Sequence, residues 1–146
     1  MDIELVAADS PTPEDRAAII AALTRFNESQ VGPSNMQPLV LLLRDAAGAT
    51  VGGLWGRTSY DWMFIELLAV PEALRGKSFG TRLMRRAEAV AVERGCAGIW
   101  LDTFSFQARP FYEGLGYALF GEIAGHPRGG ARYFLHKRLE PLPALK

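Results

Sequence analysis

Apolar and polar positions alternate, bunch and recur along this chain in ways that mark its elements. Near the start, Ile3 and Leu5 alternate with charged residues, so Asp2 to Ala8 is expected to form a first strand. Ser10-Pro11-Thr12-Pro13-Glu14-Asp15 then supplies a capping hydroxyl, an early proline and acidic first-turn residues, the signals of a helix start. Ile19, Ile20, Leu23 and Phe26 recur at helical spacing and mark its apolar face. Asn27 to Pro38, rich in Asn, Ser, Gly and Pro, reads as a loop or short irregular helix. Leu39 to Leu43 is an apolar strand, closed by a hairpin turn over Arg44 to Gly48, and Thr50 to Arg57 returns as its partner. Gly52-Gly53 in that return predicts a bulge or a close backbone approach.

Tyr60 to Val70 reads as a long central strand. An amphipathic helix follows from about Phe79 to Arg94, with Leu83, Ala87, Val90 and Ala91 at helical spacing and Gly95 as its stop. Ile99 to Thr103 is a strand, Ala108 to Leu115 a short helix, and Tyr117 to Ile123 a strand. Pro127 to Gly130 is a turn before a final strand, Arg132 to Arg138. Paired strands interrupted by helices predict a mixed α+β fold. The 146 residues, 49% of them apolar, suit a single domain over 1–146 with a real core.

Sixteen basic residues balance sixteen acidic ones, so no global charge draws the chain to nucleic acid or an anionic membrane. No apolar run approaches the roughly 20 residues that span a bilayer, and no signal-peptide pattern opens the chain. The sequence reads as cytoplasmic. Its single cysteine, Cys96, cannot form an internal disulfide and suits a small buried thiol between helix and strand. His126 and His136 stand apart from any carboxylate or cysteine cluster, so no metal is expected.

The junction between the central strand and its helix carries candidate chemistry. Phe64-Ile65-Glu66-Leu67-Leu68-Ala69-Val70 runs into Arg75-Gly76-Lys77-Ser78-Phe79-Gly80-Thr81. A helix that starts there leaves its first N–H groups without intrahelical partners. With the positive end of the helix dipole and two basic side chains, those donors suit a phosphate or pyrophosphate.

Pro71-Glu72-Ala73-Leu74-Arg75-Gly76, after Leu68-Ala69-Val70, resembles motif A of the GNAT superfamily of N-acetyltransferases, whose loop reads [R/Q]-x-x-G-x-[G/A]. Ala108-Arg109-Pro110-Phe111-Tyr112-Glu113-Gly114-Leu115-Gly116-Tyr117 resembles that family's A-x-x-F-Y-x-x-x-G-[F/Y] segment. The chain departs from the pattern at Ser78, where the loop has its first glycine, and at Ser105, where many members carry Asn. The resemblance implies a GNAT-like fold: a central twisted, mostly antiparallel sheet of six to seven strands flanked by helices and splayed between its fourth and fifth strands. It also implies acetyl-CoA as co-substrate, with Leu68, Ala69 and Val70 along the pantetheine arm. Arg75, Gly76, Lys77, Ser78, Phe79, Gly80 and Thr81 would hold the pyrophosphate, and Tyr112 would lie beside the sulfur as a general acid.

Glu66 is the base candidate. By strand alternation it shares a face with Trp62, Phe64 and Leu68, an apolar setting that suits a proton acceptor. Trp55, Tyr60 and Trp62, with Asp102 to Gln107, are candidates for the wall of an acceptor pocket. The implied reaction is direct acetyl transfer to a primary amine of a small molecule or peptide. The competing expectation is a CoA- or acyl-CoA-binding sensor or partner-binding module without turnover. Edge strands of such a sheet can pair, so a homodimer is compatible with the sequence.

Overall fold

The structure, a computed structural model, describes residues 1–140. Its contacts divide the chain into a first unit, Met1–Ser34, and a second that begins at Asn35.

The first unit holds one helix, α1 (Pro13–Val31). The Thr12 hydroxyl accepts from the Asp15 N–H at 3.2 Å, and the Asp15 carboxylate accepts from the Thr12 N–H at 2.8 Å. This reciprocal box satisfies donors that the helix itself cannot. α1 runs on through Asn27 to Val31, where a loop or short irregular helix was expected, and ends only at Gly32 with φ 82°. Polar side chains weigh little against a propagating helix, whereas a glycine in the left-handed region stops it. The strand expected at Asp2–Ala8 does not form. Its alternation is short, and no neighbouring strand takes it up.

The second unit is built on a six-stranded sheet in the order β1-β2-β3-β4-β6-β5. The strands are β1 (Gln37–Arg44), β2 (Thr50–Ser59), β3 (Trp62–Ala69), β4 (Gly98–Phe104), β5 (Ala118–Ala124) and β6 (Ala131–Arg138). Every neighbouring pair is antiparallel except β3–β4, which is parallel. The mixed α+β class and the mostly antiparallel sheet are those expected.

β1 and β2 form the expected hairpin, in which the Asp45 carboxylate accepts from the N–H groups of Ala47 and Ala49, each at 2.9 Å. The β2–β3 hairpin turns on Tyr60 and Asp61, with φ of 47° and 65°, so the central strand starts at Trp62 rather than Tyr60. Such a two-residue turn matches the right-handed twist of the strands it joins.

A parallel neighbour needs a crossover, and α2 (Phe79–Glu93) supplies it. Leu83, Met84, Ala87 and Ala91 of α2 bury against Leu54, Met63, Ile65, Ile99, Leu101 and Leu135 of the sheet. Past the helix end, Arg94 donates to the carbonyls of Gln37 (3.3 Å) and Pro38 (3.0 Å) and to the Thr58 hydroxyl (3.1 Å). The short helix α3 (Arg109–Gly114) links β4 to β5.

Two register features shape the sheet around β3. A Cβ on Gly53 (φ 146°) would sit 2.2 Å from the Leu41 carbonyl oxygen, so the double glycine marks a close backbone approach. The bulge lies elsewhere: Trp55 opposes Leu67 while Gly56 opposes Ile65, which leaves Glu66 as an extra residue in β3. The β3–β4 ladder runs only from Trp62↔Gly98 to Ile65↔Leu101. The sheet therefore opens at the bulge between its third and fourth strands, not its fourth and fifth as expected, since the Asp2–Ala8 strand that would have come first does not form.

Candidate active site

Past Ile65 and Leu101, the edge of β3 that faces β4 has no strand partner among the described residues. Glu66, Leu67, Leu68 and Ala69 lie on this stretch, and Leu68 and Val70 pack against the core below it. Their inward backbone groups are free to bond an extended ligand, as at any unpaired strand edge.

From Val70 the chain turns through a 3-10 segment, Glu72–Leu74, and reaches Gly76 with φ 78°. Ser78 is the N-cap of α2, at φ 65° and ψ 18°, and its side chain makes no capping bond. The first helical bond runs from the Arg82 N–H to the Ser78 carbonyl at 3.0 Å. The N–H groups of Phe79, Gly80 and Thr81 therefore lack intrahelical partners, and no acidic side chain lies in that turn. Arg75, Lys77 and Ser78 are exposed beside them. Donors, dipole and cations converge as an anion site requires.

α3 lies against this turn: a Cβ on Gly80 would come within 3.2 Å of Cζ of Phe111. The next residue, Tyr112, is 8% exposed, and burial first, with the Asp102 carboxylate second, pushes its phenol up to about 12. It stays protonated at neutral pH. Its hydroxyl makes no hydrogen bond among the described residues, whereas the neighbouring Tyr117 hydroxyl is engaged. Asp102 is the first β4 residue past the last parallel pair, and the Tyr112 ring packs edge-on against Phe111, the side chain nearest Gly80, at 5.1 Å.

Glu66 occupies the bulge itself. The apolar setting expected from alternation is only part of what surrounds it, because the extra residue breaks the alternation and Arg57 stands 3.9 Å away. Arg57 also lies over the Phe64 ring at 4.8 Å. Both charged side chains are about half exposed, so the pair is a loose one.

The other candidates fall into several settings. Cys96 is buried, and burial pushes its thiol up, away from the thiolate that a nucleophile needs. Ser105 accepts from the Ala131 N–H at 3.0 Å and fixes a turn. The Asp102 carboxylate pairs with Arg132 at 2.8 Å, and the Gln107 side chain accepts from the Phe104 N–H at 2.7 Å. His126 meets Phe104 edge-on at 5.2 Å. Trp62, Trp100, Phe120, Phe134, His136 and Arg138 line an open cleft of about 530 Å³. Trp55 stands half exposed on β2, and Tyr60 lies in the hairpin turn, so neither joins that cleft. Sequence reasoning missed Glu88, a buried carboxylate on α2 that takes bonds from Arg85, Tyr117 and Lys137. Its signal was present: a carboxylate one turn from Met84 and beside Ala87, on the apolar stripe.

Comparison with known proteins gives a consistent picture. Residues 5–117 match the Acetyltransferase (GNAT) family. The acetyltransferase Atu2258 of Agrobacterium fabrum is 32% identical over 136 residues, which is 93% of this chain and 99% of that protein. A blasticidin-S acetyltransferase of Streptomyces morookaense is 41% identical over 127 residues, 86% of this chain and 92% of its own length. The crystal structure of an acetyltransferase from Bacillus cereus superposes with a TM-score of 0.79 at 31% identity, covering 92% of this chain and 98% of that one.

Proposed function

The chain belongs to the acetyltransferase (GNAT) family, and on that premise we propose that it moves the acetyl group of acetyl-CoA to a primary amine of a small molecule in one ternary complex. The observation that carries this reading is the unpaired edge of β3 beyond Ile65, which runs into the uncapped N-terminus of α2. When bound, acetyl-CoA supplies the acetyl group as a thioester. Backbone groups of Leu68, Ala69 and Val70 hold its pantetheine arm, and residues 75–81 hold its pyrophosphate. Glu66, directly or through water, takes a proton from the ammonium so that a neutral amine attacks. The C–N bond forms as the C–S bond breaks, the acylated nitrogen sheds its remaining extra proton to solvent, and Tyr112 delivers its proton to the departing sulfur. Solvent then restores the phenol. Holding amine and thioester together supplies much of the rate.

Direct transfer is supported by the buried, pKa-raised Cys96, which offers no thiolate for a covalent route. A small-molecule acceptor is supported by the relative named for blasticidin S.

Calorimetric titration with acetyl-CoA, CoA and pantetheine tests the cofactor reading. Micromolar binding of the first two, worth about −8 kcal/mol, with little binding of pantetheine, is expected. No binding of acetyl-CoA at millimolar ligand would remove the whole assignment. An amine panel of blasticidin S, an aminoglycoside and a short peptide then tests the acceptor. Faster turnover of the peptide would overturn the small-molecule part alone.

A further inference from the structure

Glu88 sits in the buried stripe of α2 and is 8% exposed. Three donors converge on it: Arg85 at 2.7 Å on Oε1, and the Tyr117 hydroxyl and Lys137 ammonium, each at 3.0 Å, on Oε2. Lys137 also donates to the Leu115 carbonyl at 3.0 Å. The Tyr117 N–H donates to the Tyr112 carbonyl at 3.1 Å, and the two rings meet edge to face with centroids 6.2 Å apart. A chain of contacts thus runs from mid-α2 to the segment that carries Tyr112. The other end of the α2–α3 contact is Phe111 on Gly80, in the turn with the free N–H groups.

Replacing a buried ion cluster by apolar side chains is often neutral or stabilising, so stability alone gives no reason for this one. Directional bonds to donors from α2, β6 and the chain after α3 do fix geometry, which sliding apolar contacts fix less well. A reacting group needs such fixing, because a misplacement of about 1 Å can cost roughly a hundredfold in rate.

We propose that Glu88 is a positioning residue which, through Tyr117 and Lys137, holds Tyr112 in place against the cofactor-binding end of α2. This rests on the reading of Tyr112 as the acid, and the test separates the two. Single-turnover thiol release from acetyl-CoA is followed with blasticidin S as acceptor and, separately, with water alone. Tyr117→Phe and Glu88→Gln are each expected to slow release about tenfold while CoA affinity by calorimetry changes less than about twofold. In a Tyr112→Phe background neither should slow it further, the mark of groups that act as one. Equal losses in both backgrounds, or no loss in the parent background, would overturn the proposal. An unchanged rate in Tyr112→Phe alone would remove the acid reading, and the positioning role with it.

A second readout needs no turnover. Fluorotyrosine is placed at the four tyrosines, and the Tyr112 resonance is assigned by its loss in Tyr112→Phe. Glu88→Gln should shift or broaden that line, and an unchanged line counts against the proposal. Should Glu88→Gln fail to fold, Tyr117→Phe, which loses one hydroxyl, carries both measurements.

Discussion

Ser78 shows how much one side chain can be asked to tolerate. It holds φ 65° at the head of α2, a conformation that costs a non-glycine residue about 1–2 kcal/mol. Its hydroxyl recovers nothing there as a cap. Glycine would escape the strain but lose roughly 0.5–1 kcal/mol in chain entropy. Ser78→Gly is therefore expected to stabilise by a few tenths to about 1 kcal/mol in urea denaturation, with acetyl-CoA binding as tight or tighter. Weaker binding in that variant would assign the serine hydroxyl a role on the ligand. Glu88 makes the opposite case, a side chain held by everything around it. Burial, the largest influence, pushes its carboxyl up, but the hydrogen bonds from Arg85, Lys137 and Tyr117 together hold it below its ordinary 4.5. A depressed carboxyl stabilises the fold above its unfolded pKa, and that contribution drains away as pH falls from 4.5 through the folded value. The stability gap between parent and Glu88→Gln should then be widest at about pH 7 and narrow by about pH 3, read from urea midpoints. A gap constant across that range would show that the charge of Glu88 is not what the cluster stabilises.

At the scale of elements, the close contacts are between backbones, and glycine decides them. Gly53 meets the Leu41 carbonyl oxygen where any Cβ would sit, so β1 and β2 would have to separate to admit one. Gly53→Ala is expected to lose about 3 kcal/mol, from backbone strain at positive φ added to overpacking. A loss below about 1 kcal/mol would mean that the hairpin yields freely. The double glycine announced this contact in the sequence, just as helical spacing and Gly95 announced α2. The bulge at Glu66 was different. It is a mismatch between β2 and β3, and nothing within Phe64 to Val70 records which residue of the partner lies opposite. Alternation therefore assigned Glu66 to an apolar face, and it missed Arg57. The Asp2–Ala8 strand failed for a related reason, since alternation states what a segment can bury and not whether an edge exists to receive it. Glu88 could be seen as anomalous on α2, yet its donors Tyr117 and Lys137 come from distant segments that only the fold assembles.

Over the whole second unit, the sheet consists of two antiparallel halves, β1-β2-β3 and β4-β6-β5, joined by a short parallel ladder. That ladder ends at Ile65↔Leu101, and the bulge at Glu66 carries β3 away from β4 beyond it. A continuous ladder would satisfy the edge of β3 and leave a ligand nothing to bond. Opening it leaves polar backbone exposed to water, a cost that a ligand laid along the edge can offset. The same ligand, if it ends in a pyrophosphate, reaches the free N–H groups of α2. Hydrogen exchange tests both sites together. CoA is expected to slow exchange at those amides of residues 66–69 that face away from β2 and at 79–81, while the β5–β6 ladder, already paired, changes little. Protection at 79–81 without protection at 66–69 would leave the anion site standing and remove the pantetheine arm from β3. The reverse pattern would keep the arm and move the pyrophosphate elsewhere. Each half of the site thus stands or falls on its own amides.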